Sequence, residues 1–136
     1  MLSIMLCKEA RKMAAHLTDM AEPAIVTLIS CWYDLELLTN KLTEAARRGV
    51  SVRILADSQA TLRGPAKKQS ERFKQVLDAG AEVACKGRVA GTSGLLHAKA
   101  YCCENYAVIG SANWTANSTN NKELSVLLNL SNENLQ

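Results

Sequence analysis

The chain has 136 residues, 48% hydrophobic and 21% charged, and sixteen Lys and Arg against thirteen Asp and Glu give a net charge of +3. That length suits one domain burying about two thirds of the surface its unfolded chain exposes, and the composition excludes disordered and collagen-like chains. The small net charge excludes a bulk attraction to polyanions, so any such attraction has to come from local clustering.

The apolar start, residues 1–7, is interrupted by Lys8, Arg11 and Lys12 before it reaches signal-peptide or membrane-spanning length, so neither secretion nor an integral membrane segment is expected. Residues 8–20 place Ala10, Met13, Ala14 and Leu17 at helical spacing, which predicts an amphipathic helix. Pro23 ends it, and the β-branched run 24–29 predicts a buried strand. Helical spacing returns over 34–48 through Leu35, Leu38, Leu42 and Ala45, with Gly49 as the stop, and 50–56 is the next strand. Strand, helix and strand in that order are the βαβ signature of a parallel pair.

Residues 61–70 are polar, carry Gly64-Pro65, and predict a loop; a helix follows to about residue 79, with Gly80 as its cap. A third strand is expected over 81–85 and a basic, glycine-containing loop over 86–94. Two apolar runs, 95–103 and 106–109, flank Glu104-Asn105 and predict a hairpin, and 123–130 predicts a last strand with Leu124, Val126, Leu128 and Leu130 on one face. One domain over 1–130 and a short tail over 131–136 result. Five cysteines form no CxxC pair and are odd in number, which favours a reducing, intracellular compartment, cytoplasmic or mitochondrial.

The chemistry concentrates in His97-Ala-Lys99, Gly110-Ser111-Ala-Asn113 and Glu123. On a strand, residues two apart share a face, so an imidazole and an ammonium project together. Glycine before Ser111 lets the backbone approach an anion, and the Ser and Asn side chains donate hydrogen bonds to it. A base or nucleophile, a fixed cation and neutral donors are what phosphoryl chemistry requires.

These residues resemble the HxK(x)4D(x)6GSxN signature of the phospholipase D superfamily, and the segment from residue 24 to Asp57 is similar to the one that precedes the motif there. In size and layout the chain resembles the one-motif members, the Nuc-like endonucleases and the mitochondrial cardiolipin hydrolase/Zucchini group. The resemblance implies an α/β sandwich with a mixed, mostly parallel sheet flanked by helices. It implies a phosphodiesterase needing neither metal nor cofactor, most readily a nuclease, with phospholipid as the alternative substrate and an inactive structural subunit as the alternative role. In the implied reaction His97 forms a phosphohistidine, Lys99, Ser111 and Asn113 hold the phosphoryl oxygens, and Glu123 accepts a hydrogen bond from the imidazole. A homodimer, or a pair with a second chain of this fold, supplies the second histidine. The sequence departs from the signature where the family's Asp falls on Glu104, separated from Gly110 by five residues instead of six, so that either the hairpin is one residue shorter or Asn105 takes the slot.

Elsewhere structural roles are expected. His16 reads as a surface or boundary residue, Cys102 and Cys103 as strand residues, and Trp32 and Trp114 as packing groups. Arg63, Lys67, Lys68, Arg72, Lys86 and Arg88 are either a solvated surface or a phosphate-tracking patch.

Overall fold

Two helical crossovers read from the sequence build the parallel half of a single sheet. The computed structural model describes residues 2–22, 25–30, 33–57, 66–86 and 96–131. Strands β2 (Ile25–Ser30), β3 (Ser51–Asp57) and β4 (Glu82–Lys86) pair in parallel, separated by helices α2 (Glu36–Arg47) and α3 (Ala66–Asp78). Strand β5 (Ala100–Cys103) then pairs antiparallel with β2, and β6 (Tyr106–Gly110) and β7 (Leu124–Asn129) continue antiparallel. The outer strand is β1 (Leu2–Leu6), which leads directly into α1 (Cys7–Met20).

The full order is β1-β7-β6-β5-β2-β3-β4. The sheet is mixed, as expected, but the expectation that it is mostly parallel is corrected: four pairings are antiparallel and two parallel. Connection length accounts for one of the four antiparallel pairings, since the two-residue turn after β5 reverses the chain, and for both parallel ones, which the helical crossovers produce.

Helix α1 packs on α2, and α2 on α3. The face they cover alternates into the core along each strand: Val26 and Leu28 on β2, Val52 and Ile54 on β3, Tyr101 and Cys103 on β5, Val108 on β6. On α1 the expected apolar stripe is buried at Ala10 and Ala14, together with Thr18. The Thr18 hydroxyl lies 2.6 Å from the Tyr101 hydroxyl, so the deepest aromatic of the hairpin is hydrogen-bonded as well as packed, and burial pushes its phenol pKa upward. Tyr33 is likewise fully buried, stacked at 6.1 Å on Phe73 of α3, with its hydroxyl 2.6 Å from Thr39 of α2. Gly49 (φ 94°) and Gly80 (φ 96°) terminate α2 and α3 as expected.

Three boundaries differ from the sequence reading. Helix α3 starts at Ala66, inside the expected loop; the strand expected from residue 95 begins only at Ala100; and β1 occupies a segment given no secondary structure. Residues 87–94 of the expected basic loop and 132–136 of the expected tail lie outside the described residues. On the face opposite the helices, Leu2, Ile4, Leu6, Ile109 and Leu124 are exposed.

The β5–β6 turn explains the departure at residue 104. Cys103 pairs with Tyr106, so Glu104 and Asn105 are the whole turn, and Glu104 adopts φ 51°, a left-handed conformation that favours glycine. Both are exposed. Replacing Glu104→Gly should therefore raise stability by about 1 kcal/mol. Urea denaturation checks this: the midpoint should rise with an unchanged slope, and a fall would contradict the reading of this turn.

Candidate active site

The expected site residues gather at one end of the β5–β6 hairpin, the end opposite its turn. Ala100 pairs with Ile109, so the chain entering β5 and the chain leaving β6 lie side by side, and the Gly110 amide donates to the Lys99 carbonyl at 3.4 Å. Because β7 runs antiparallel to β6 with Gly110 opposite Ser125, Glu123 arrives next to Ser111. Glu104 and Asn105 stand at the far end, four strand residues away, which at about 3.3 Å per residue is well outside reach of the site.

Gly110 is required by close approach. A Cβ there would meet the Leu124 carbonyl oxygen at 2.7 Å and would also run into the Ser125 side chain. The close contact draws β6 against β7, with the Ser111 amide donating to the Leu124 carbonyl at 3.2 Å. The Ser111 hydroxyl in turn donates a short hydrogen bond to a Glu123 carboxylate oxygen.

His97 is exposed and Lys99 is 6% exposed. The Lys99 Nζ lies 2.8 Å from His97 Nδ1 and also donates to the His97 carbonyl. An ammonium has only donors, so Nδ1 is the acceptor and a neutral ring carries its proton on Nε2. The structure thus brings the four polar side chains together as two pairs, His97 with Lys99 and Ser111 with Glu123. The bond from the imidazole to Glu123 that the resemblance implies is not among those formed by the described residues. Just before this segment, the Leu96 amide donates at 3.0 Å to the buried Asp57 carboxylate, which ties the approach to His97 to the carboxyl end of β3.

Asn113 is held differently. Its Oδ1 is buried without a hydrogen-bond partner, whereas its carbonyl accepts from Arg11 Nη2 of α1 at 2.6 Å. The next residue, Trp114, is buried as expected for a packing group, tilted against Tyr101 at 6.1 Å. Its amide donates to Ser30 Oγ at 3.2 Å, its carbonyl accepts from the Asp34 amide at 3.1 Å, and the Asp34 carboxylate accepts from the Ala116 amide at 2.6 Å. Burial lowers the Arg11 pKa, opposed by Cys7 and, more weakly, by Asp34 and Glu123. Sequence reasoning singled out neither Arg11 nor Asp57; the signal lay in contacts across 102 and 39 residues of chain.

A groove of about 720 Å³ runs from Glu123 along the start of α1, with Lys8, Lys12 and Lys122 on its walls. Its carboxylates are engaged, Glu9 capping the Leu6 amide at 2.7 Å and Glu123 bonded to Ser111. Among the described residues none of the three lysines forms an ion pair. Of the basic residues singled out as a patch in the sequence, Lys68 and Arg72 do not line this groove. Arg72 is paired with Glu36 at 3.4 Å, Lys68 is an exposed residue of α3, and Arg63, Arg88 and the side chains of Lys67 and Lys86 lie outside the described residues. His16 is exposed on α1, as expected, and Trp32 lies outside the described residues. Burial raises the thiol pKa of Cys102 and of Cys103, as suits packed strand residues. Among the described residues no three His, Cys, Asp or Glu side chains converge as a metal site, and no helix is long and apolar enough to cross a membrane.

The family model for the cardiolipin synthase PLD-like domain matches residues 15–135. The fold is similar to that of Nuc from Salmonella typhimurium, a phospholipase D family member (TM-score 0.78, 19% identity, 94% of this chain and 82% of that one). It is similar to NucT from Helicobacter pylori (0.80, 16%, 95% and 85%). The archaeal chromatin protein TrmBL2 shares it over 94% of this chain and 45% of its own, at TM-score 0.62 and 14% identity. No curated protein sequence matches the chain.

Because a methyl group at residue 110 collides with main-chain atoms of β7, Gly110→Ala should destabilise the fold by about 1–3 kcal/mol. Urea denaturation measures this, and an unchanged midpoint would show that β6 and β7 are not held at this separation.

Proposed function

This chain belongs to the phospholipase D-like family, and on that premise we propose that it is a phosphodiesterase acting through a phosphohistidine at His97, with nucleic acid as its substrate. The observation that carries the reading is the convergence of His97, Lys99, Ser111 and Glu123 at one end of the β5–β6 hairpin, where Gly110 lets β6 lie close against β7.

The geometry supports a role for each residue. Lys99, held within 2.8 Å of the imidazole, is the cation for the phosphoryl oxygens, with Ser111 and Asn113 as neutral donors. An incoming phosphodiester oxygen competes with Nδ1 for the Lys99 ammonium. Once Lys99 turns toward the anion, the ring proton is free to reside on Nδ1 and the Nε2 lone pair to attack phosphorus, displacing the alcohol oxygen. Glu123 is the acceptor for that Nδ1 proton when Ser111 turns its hydroxyl to the phosphate. The leaving oxygen takes its proton from the imidazole of a second copy, which then removes a proton from the water that splits the phosphohistidine. One chain carries one such histidine, so the reaction is assigned to a dimer, of two copies or of this chain with another of the same fold.

Nucleic acid is favoured over lipid by the lysine-walled groove that leaves the site at Glu123, since a strand held at one phosphate presents its flanking phosphates along such a path. Phospholipid has one observation in its favour: on the other side of Lys8 and Lys12 a groove of about 260 Å³ is lined by Leu35, Leu37 and Leu38.

Hydrolysis of an aryl phosphodiester in EDTA tests the chemistry. The protein should turn over as a two-chain species by light scattering, and His97→Ala should lose on the order of a thousandfold or more. Absence of turnover from a folded dimer would replace this reading with that of an inactive structural subunit. For the substrate, Lys8→Glu with Lys12→Glu should weaken single-stranded oligonucleotide binding and leave aryl phosphodiester turnover intact. Three phosphate contacts predict a slope of about −2 in log affinity against log salt. Liposome binding with no salt-dependent oligonucleotide binding would favour the lipid.

A further inference from the structure

We infer that Arg11, outside the HxK and GSxN motifs and on a different element, is a positioning residue that sets the place of Asn113 and of the segment leading to Glu123. The inference rests on the phosphodiesterase reading and adds to it a residue that acts on the phosphate-holding loop from behind.

Asn113 follows β6 in a stretch without regular secondary structure; its neighbour Trp114 forms an isolated bridge with Tyr33, but Asn113 itself has no strand partner among the described residues. Its side-chain oxygen is buried but bonded to nothing, so the amide does not anchor itself through that atom either. What holds the residue is its main chain: Arg11 Nη2 donates to the Asn113 carbonyl at 2.6 Å and to the Thr115 carbonyl at 3.3 Å. These two carbonyls bracket Trp114, and the guanidinium lies 5.7 Å from the centre of that ring, within cation–π range. A planar group with one nitrogen shared between two carbonyls and its other nitrogen on the start of α1, lying over the ring between those carbonyls, fixes both the distance and the tilt of the loop. A lysine, with a single point charge, fixes neither as well.

The other arm of the guanidinium faces the start of α1. Arg11 Nη1 donates to the Cys7 carbonyl at 3.2 Å and to the Cys7 sulfur, and the Cys7 thiol donates to the Ser118 carbonyl at 3.0 Å. Ser118 belongs to the short 3-10 helix Asn117–Asn120, two residues before the strand approach that carries Glu123. Arg11 is thus coupled to the start of the connection between Asn113 and Glu123 and, through Cys7, to its middle. Since displacing a catalytic group by about 1 Å costs up to about 100-fold in rate, a residue that sets this loop is visible in turnover.

The test is a double-variant cycle on aryl phosphodiester turnover, with kcat and KM separated and melting followed in parallel. Arg11→Met is expected to lower kcat about 10- to 100-fold, with Arg11→Lys in between. In the Asn113→Ala background, Arg11→Met should cost far less than it does alone, because the group it positions is already gone. Full additivity of the two losses in an active protein would overturn the inference and make Arg11 a general stabiliser of the fold. If Arg11→Met does not fold, Arg11→Lys carries the same cycle, and an Arg11→Lys loss that is additive overturns the inference equally. A native protein without any turnover would overturn the phosphodiesterase reading, and this inference with it.

Discussion

The constraint on which the site depends is the antiparallel closure of β5 on β6 by a two-residue turn in the middle of the sheet. That register puts residues 97–99 and 110–111 at the same end of the hairpin, although they are far enough apart in sequence to have faced anywhere. Everything else attaches to this pair. On one side β2 pairs with β5 and brings the carboxyl ends of the parallel strands, with Ser30 and Asp57, to the same end. On the other side β7 pairs with β6 and brings Glu123. The site therefore lies at the carboxyl edge of the parallel half, where α/β sheets usually bind ligands, but half of its groups come from the antiparallel part.

The hairpin is in turn secured from above by α1. Thr18 meets Tyr101 on the helix-covered face of the sheet, and one turn from the other end of the same helix Arg11 grips the loop after β6. One amphipathic helix thus packs the strand pair and sets the phosphate-holding loop. The arrangement divides the candidate groups by how they are held. Lys99 and Ser111 adjoin strands and are fixed by register, Glu123 is fixed by the entry to β7, and Asn113 depends on a side chain from another element.

Much of this was legible in the sequence, for identifiable reasons. Helices α1 and α2 and the parallel strands announce themselves through periodicity, and Gly49 and Gly80 mark their stops because few other residues adopt the left-handed turn that ends a helix. The HxK and GSxN spacing was legible because a hairpin converts sequence distance into spatial proximity by a simple rule. Strand β1 was hidden: Leu2 to Leu6, apolar apart from Ser3, is too short to show a period, and it finds its partner at the opposite end of the chain. The start of α3 was hidden because a polar first turn beside Gly64-Pro65 looks like loop. The excess of antiparallel pairing was hidden because connection lengths were visible but strand partners were not. Arg11, Asp57 and the pairing of Ser111 with Glu123 are tertiary contacts, for which a single sequence carries no periodic signal.

The central claim is that phosphorus is transferred to His97. Its most direct test is to mix the protein with an aryl phosphodiester, quench within the first turnovers at alkaline pH, where a phosphoramidate survives, and map the modified peptide by mass spectrometry. The account predicts a phosphoryl adduct on His97 that forms and decays with turnover and is absent from the His97→Ala variant. Turnover with no adduct, or an adduct on another side chain, would contradict it.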